Sequence, residues 1–156
     1  MVDKKGRIIR KPLVSLVLFL ALTYTMQFTP RNPPAAKVSP IQLSSDELSR
    51  ADFEKLLIEN PGRVVLKFGA TWCGPCQRIE SHVHQWFERM PPNVTCLMID
   101  IDESFDLYAA FKSMRQVTGI PAILCFNKGN VSYVPDFSVV GSDLEQVNLF
   151  FKRVLG

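Results

Sequence analysis

The chain has 156 residues, 47% hydrophobic and 21% charged, a composition that excludes a wholly disordered protein and leaves room for one domain of ordinary size plus a tail. Its net charge is +3, yet Lys4, Lys5, Arg7, Arg10 and Lys11 stand against Asp3 alone in residues 1–11, so the remainder is close to neutral. That distribution excludes the basic stripe a nucleic-acid partner requires, and the N-terminal bases read as a topology signal instead.

After this basic segment comes an apolar run, Leu13 to Phe28. As a helix it would span roughly 24 Å at ~1.5 Å per residue, a little short of the ~30 Å hydrocarbon core. Residues 12–28 are expected to form an uncleaved signal-anchor, because no small-x-small site closes the run and Ala35-Ala36 lies behind Pro30, Pro33 and Pro34. With the bases held in the cytosol, a single-pass chain would project its domain to the lumen, periplasm or exterior. Cleavage of the run as a signal peptide, with secretion of the domain, is the alternative. Residues 29–43 are a proline-rich linker, and the folded domain is placed at 44–156.

Within the domain, Ser44-x-x-Glu47 predicts the cap of a first helix carrying Phe53, Leu56 and Leu57, stopped by Pro61-Gly62. Val64–Phe68 is a β-branched, apolar run suited to a buried strand. Gln77 to Arg89 reads as a helix with Ile79, Val83, Trp86 and Phe87 inward, followed by a second buried strand from Val94 to Ile101. Phe105 to Val117 is a further helix, and Pro121 to Phe126 a third strand. Asn127-Lys128-Gly129-Asn130 predicts a hairpin turn into a fourth strand around Val131–Val134. Ser142-x-x-Glu145 predicts the cap of a last helix with Leu144, Val147, Phe151 and Leu155 on one face. The order α-β-α-β-α-β-β-α implies an α/β fold, a central mixed sheet of four to five strands with helices on both faces.

Between the first strand and the second helix stands Cys73-Gly74-Pro75-Cys76. Thiol–disulfide exchange needs a thiolate to attack and a second thiol near enough to resolve the mixed disulfide, and two cysteines three apart at a helix mouth supply both. Cys73 at the N-terminus gains from the helix dipole and free N–H groups, which favour a negative sulfur; Cys76 lies one turn further in. Pro75 suits the first turn, where its missing N–H would be unpaired anyway, and Gly74 keeps the approach open. Half a zinc site has the same spacing. His82 and His84, two apart on a helix, point to different faces, however, and Cys96 and Cys125 fall in strands, so neither a metal nor another cofactor is expected.

Val64 through Cys76, VVLKFGATWCGPC, resembles the strand and active-site segment of thioredoxins nearly residue for residue. Gly119-Ile120-Pro121-Ala122 is similar to that family's cis-proline loop, Phe126–Gly129 to its hairpin, and Gly141 to the glycine before its last helix. The resemblance covers about residues 45–156. It implies the thioredoxin fold, a redox-active Cys73–Cys76 disulfide with Cys73 as nucleophile and Cys76 as resolving thiol, and Trp72 flanking the pair. It also implies a cis Pro121 whose loop faces the sulfurs, with substrate held by the backbone of Ile120 and by the surface around Pro121 and Gly141.

Two departures stand out. Where thioredoxins carry a buried acid, this chain has Lys67, and the family's basic partner on the neighbouring strand is Met98. If Lys67 points under the dithiol, its cation favours thiolate and makes the protein more oxidising; if its stem snorkels outward, the effect is slight and resolution slows. Cys96 and Cys125 are expected on opposite sides of the first strand, near 10 Å apart at ~4.8 Å per strand, beyond disulfide reach and buried as free thiols.

The implied activity is that of a protein-disulfide oxidoreductase, probing partners that are protein disulfides or thiols. It needs an electron donor such as a thioredoxin reductase or a membrane reductant. An assembly or binding module on the same fold, and an oxidase or isomerase in an oxidising compartment, are the alternatives.

Overall fold

The computed structural model describes residues 47–156. The basic segment, the apolar run and the linker expected over residues 1–43 lie outside the described residues, as does Ser44. Among the described residues no helix is long and apolar enough to cross a membrane.

The elements follow the expected order: α1 (Arg50–Glu59), β1 (Arg63–Gly69), α2 (Gly74–Glu88), β2 (Val94–Asp100), α3 (Phe105–Ser113), β3 (Ala122–Phe126), β4 (Phe137–Val140) and α4 (Leu144–Leu155). The four strands form one mixed sheet in the order β2-β1-β3-β4. β1 runs parallel to β2 and antiparallel to β3, and β4 is an antiparallel edge.

Alternation along the central strands divides the interior in two. Val64, Leu66 and Phe68 face one side, where Phe53 and Leu57 of α1 and Leu107 and Phe111 of α3 cover them. Val65 faces the other, under Ile79, Val83 and Phe87 of α2 and Val147, Phe150 and Phe151 of α4. On the first side Phe53 meets Phe111 and Phe126 edge-on, each at 5.3 Å between ring centroids, a geometry that suits the ring quadrupoles. On the second, Trp86 stacks on Phe151 at 5.4 Å and is tied to Asn148 of α4 by its indole N–H.

Several boundaries differ from the sequence reading. The first helix is capped by Ser49, whose hydroxyl accepts from the Asp52 N–H at 3.2 Å, and Glu47 lies before the helix. The last is capped by Asp143, which accepts from the Glu145 and Gln146 N–H groups, in place of Ser142. A carboxylate one residue nearer the helix reaches both free donors and also suits the positive end of the dipole. On that helix Val147, Phe150, Phe151 and Val154 are buried, whereas Leu144 and Leu155 are about half exposed. α3 ends at Ser113, because Arg115 takes a positive φ of 57°.

The fourth strand is Phe137–Val140, not Val131–Val134. The Asn127–Asn130 turn does form, with the Asn130 N–H donating to the Asn127 carbonyl at 3.0 Å. Beyond it the side chains of Asn130, Ser132 and Asp136 take up the backbone groups a ladder would have used. Asp136 accepts from the Asn127 N–H and the Asn130 amide, each at 2.8 Å, and Ser132 N–H donates to Asn130. Such side-chain bonds compete with sheet formation, and Val131 and Val134 are left exposed.

Candidate active site

Three chain segments meet at one end of the sheet. β1 delivers the loop Ala70-Thr71-Trp72, the start of α2 supplies the two cysteines, and the segment before β3 supplies Ile120 and Pro121. The register sets Ala122 opposite Phe68, so Pro121 lies beside the end of β1 that enters the dithiol loop. The Ile120–Pro121 peptide is cis, and the Pro121 carbonyl accepts from Gly141 N–H at 2.8 Å. Gly141 has φ of 106°, a conformation open to glycine, which lets the chain turn there from β4 toward α4. Ile120 packs, partly buried, against the apolar cluster that includes both cysteines.

Cys73 is the N-cap of α2 and Pro75 stands in its first turn. The two sulfurs are joined, with Cα atoms 5.2 Å apart. Cys73 Sγ accepts from the Cys76 N–H at 3.2 Å, so a helix-terminal donor is already aimed at the sulfur that would carry negative charge after reduction. Both residues are buried in this oxidised form, whereas Trp72 next to them is 65% exposed. The Trp72 indole N–H donates to Asp102 at 2.6 Å, which fixes the ring beside the disulfide. Gly74 is open to solvent: a methyl group there would meet nothing within 4 Å.

Lys67 shares the parity of Val65, so its side chain enters the layer under α2. The residue is buried, 5% exposed. A methyl group on Gly69 would lie 2.7 Å from Lys67 Nζ and 3.5 Å from Cys76 Cβ, so the ammonium sits under the dithiol segment. There it borders a cavity of about 300 Å³ lined also by Gly69, Gln77, Glu80, Met98 and Asp100. Burial draws its pKa below the usual lysine value, and the carboxylates of Glu80 and Asp100 oppose that shift. Of the two readings of Lys67, the buried one describes the molecule.

Asp102, Glu80 and Asp100 are absent from the sequence reading of the site. For Glu80 a signal existed, since it stands four residues after Cys76 on the same helix and therefore on the same face. Asp100 and Asp102 come to the site only through the parallel pairing of β1 with β2, which opposes Gly69 to Asp100. His82 bonds Asn148 of α4 at 2.8 Å and so braces two helices. Cys96 and Cys125 are free, buried and both in register with Val65, one on each side of β1. Burial pushes each thiol up to about 12.

Comparison with known proteins agrees with this architecture. The family model described as Thioredoxin matches residues 44–148. The chain is 28% identical over 105 residues to the mitochondrial thioredoxin of Mus musculus, covering 67% of this chain and 59% of that protein. It is 34% identical over 92 residues to thioredoxin of Equus caballus, covering 59% of this chain and 79% of the relative. The chain thus spans about three fifths of the mitochondrial relatives it matches, 59% for the mouse protein. Among solved structures, Fasciola hepatica thioredoxin superposes with a TM-score of 0.55 at 27% identity, covering 69% of this chain and 95% of that one. Trichomonas vaginalis thioredoxin does so with 0.51 at 31% identity, covering 65% and 89%. With a mixed sheet, a dithiol at the mouth of α2, a cis-proline loop beside it and a family match over most of its length, the chain belongs to the thioredoxin family.

Proposed function

We propose that this protein is a membrane-tethered protein-disulfide oxidoreductase that delivers electrons, thioredoxin-like, from its Cys73/Cys76 dithiol to disulfides in other proteins. The single observation that carries this reading is the Cys73–Cys76 disulfide seated at the N-terminus of α2 beside the cis-Pro121 loop. In the reduced protein the Cys73 thiolate attacks a client disulfide, one client sulfur leaves as thiolate, and a mixed disulfide forms. Cys76 then attacks Cys73 Sγ, the internal disulfide closes, and the second client thiolate departs. The extended client lies along Ile120, whose backbone groups precede the cis bond. The basic N-terminus and the apolar run at 12–28 support the tether.

Lys67 favours a second reading, that of an oxidase or isomerase. A cation beneath the pair stabilises thiolate and hence the reduced form. Similarity to protein disulfide-isomerase A3 of Gallus gallus, 33% identity over 86 residues, belongs to this reading, although it covers only 16% of that protein.

The reduction potential decides between them. Equilibrated with glutathione in detergent, the full chain is expected somewhat above the ~−270 mV of thioredoxin, because the buried Lys67 cation favours the reduced form, yet well below ~−180 mV. A value near ~−180 mV or above would assign it instead to oxidation or isomerisation. A Cys73→Ser, Cys76→Ser chain is expected to lose insulin reduction outright; retained cellular function in that variant would favour a binding module.

A further inference from the structure

Phe105 opens α3 and is 65% exposed, the same fraction as Trp72 beside the dithiol. The core does not account for it. The buried stripe of α3 is Leu107, Ala110 and Phe111, and Phe105 stands two positions before Leu107, about 200° around the helix and so directed away from the sheet.

The ring is nevertheless held in place. The Ile101 N–H donates to the Gly69 carbonyl and the Ser104 N–H to the Asp100 carbonyl, each at 2.9 Å. The buried Ser104 hydroxyl, directly before Phe105, accepts from the Leu48 N–H at 3.0 Å. Phe105 thus stands on a fixed support at the dithiol end of the sheet. Asp102, which holds the Trp72 indole at 2.6 Å, is three residues away, a backbone span of at most ~11 Å.

This flank carries charge of one sign. The segment from Asp100 to Phe111 contains Asp100, Asp102, Glu103 and Asp106 and no lysine or arginine. Asp102 is committed to Trp72, whereas Glu103 and Asp106, on either side of Phe105, are exposed. Among the described residues the one ion pair is Lys55–Glu59, within α1. Arg50 of α1 attracts Asp106, but its guanidinium is bonded to Tyr133. The opposite flank of the dithiol is mixed, because Arg78 bonds Ser142 there, next to Asp143 and Glu145. An exposed aromatic face between carboxylates suits a cation. Arginine fits best, since its guanidinium stacks on a ring while its N–H groups reach the carboxylates.

We propose that Phe105, with Glu103 and Asp106, is a specificity site of the client surface, selecting disulfides that have an arginine or lysine about three residues from the client cysteine. The inference rests on the oxidoreductase reading above and names its substrate class. The spacing follows from reach: an extended client seated beside Trp72 advances ~3.3 Å per residue and covers the distance to Phe105 in about three. An acidic client segment is repelled by the same carboxylates.

The test uses the reduced full chain in detergent and disulfide-closed peptides that differ at one position. Arg, Lys, Gln or Glu is placed three residues before the first cysteine or three after the second. The second-order rate constant of peptide reduction is divided by that with dithiothreitol, which removes the effect of a nearby charge on the disulfide itself. The Arg peptide is expected to react about tenfold faster than the Glu peptide in at least one placement, with Lys between Arg and Gln. Raising the ionic strength from ~0.02 to ~0.5 M should shrink that ratio about twofold. Phe105→Ser, a surface change, is expected to bring the ratio to about twofold or less, and Glu103→Gln to halve it roughly. Val134→Ser removes an exposed apolar side chain at the other end of the sheet and should keep the parent ratio. Equal rates for the Arg, Gln and Glu peptides in both placements would overturn this inference and leave the oxidoreductase reading standing. So would a Phe105→Ser chain that keeps the parent ratio. A parent chain that reduces none of the peptides overturns both.

Discussion

Two cysteines away from the active site carry a stability consequence of their own. Cys96 and Cys125 flank Val65 in the middle of the sheet, and burial raises each thiol from 9.0 to about 12. In the unfolded chain they ionise first, so between pH 9 and 12 the folded state holds more protons. Their contribution is fully present below about pH 9 and is lost as pH rises through 12. The slope is at most about 1.4 kcal/mol per pH unit for each thiol. Lys67, whose folded pKa is depressed, acts in the opposite sense over its own range. Comparing urea midpoints of the parent with Cys96→Ala and Cys125→Ala from pH 8 to 11 isolates the thiols, and each replacement is expected to flatten the decline; an unaltered slope would show that neither thiol is responsible. The resemblance to thioredoxins was what put these cysteines in strands on opposite sides of β1, and strand spacing then set them too far apart to bond. The sequence did not decide Lys67. In a run as continuously apolar as Val64–Phe68 the period of two is invisible, so which face a given residue takes emerges only when the helices dock.

At the level of elements, the start of the sheet depends on a close backbone approach at Gly62. A Cβ added there would fall 1.7 Å from the Asn93 carbonyl oxygen, the same oxygen that accepts from the Arg63 N–H. The turn before it is closed by Asn60, whose side chain accepts from Gly62 N–H at 2.9 Å and donates to the Arg63 carbonyl. Gly62→Ala must therefore push β1 and β2 apart at their first pair, and is expected to cost about 2–3 kcal/mol in urea unfolding. Gly74→Ala, with open space above it, should be close to neutral for stability. Similar costs for both variants would argue against the close approach. The long elements were legible because amphipathic spacing and buried apolar runs agree with the final packing. β4 was missed because hydrophobicity alone favours Val131–Val134. The better signal was the alternation of Phe137 and Val139 against Ser138 and Val140, with Pro135 and Asp136 ending the loop before it. This is the pattern of a half-covered edge strand, and Phe137 and Val139 are indeed the members packed inward.

For the molecule as a whole, the dithiol end of the sheet, the order of elements and the two-sided core follow from sequence patterns that reinforce one another. The carboxylates around Lys67 do not, since three elements far apart in the chain must assemble before they meet. The proposed orientation, with the domain across the membrane from the basic N-terminus, makes a prediction at this scale that is independent of redox chemistry. Asn93-Val94-Thr95 and Asn130-Val131-Ser132 are both acceptor sequences for N-glycosylation. Asn93 is exposed at the turn before β2, whereas the Asn130 amide is committed to the Val134 carbonyl and to Asp136, each within 2.9 Å. A glycan at Asn93 thus leaves the fold intact, and one at Asn130 forfeits two loop bonds. Translation of the full chain with microsomes is expected to give a heavier, protease-protected product that a glycosidase returns to the unmodified size. Asn93→Gln together with Asn130→Gln should abolish the mass increase but keep the protection. A domain that stays unmodified and is digested from outside would reverse the orientation, placing Cys73 and Cys76 on the side where a reductase can reach them directly.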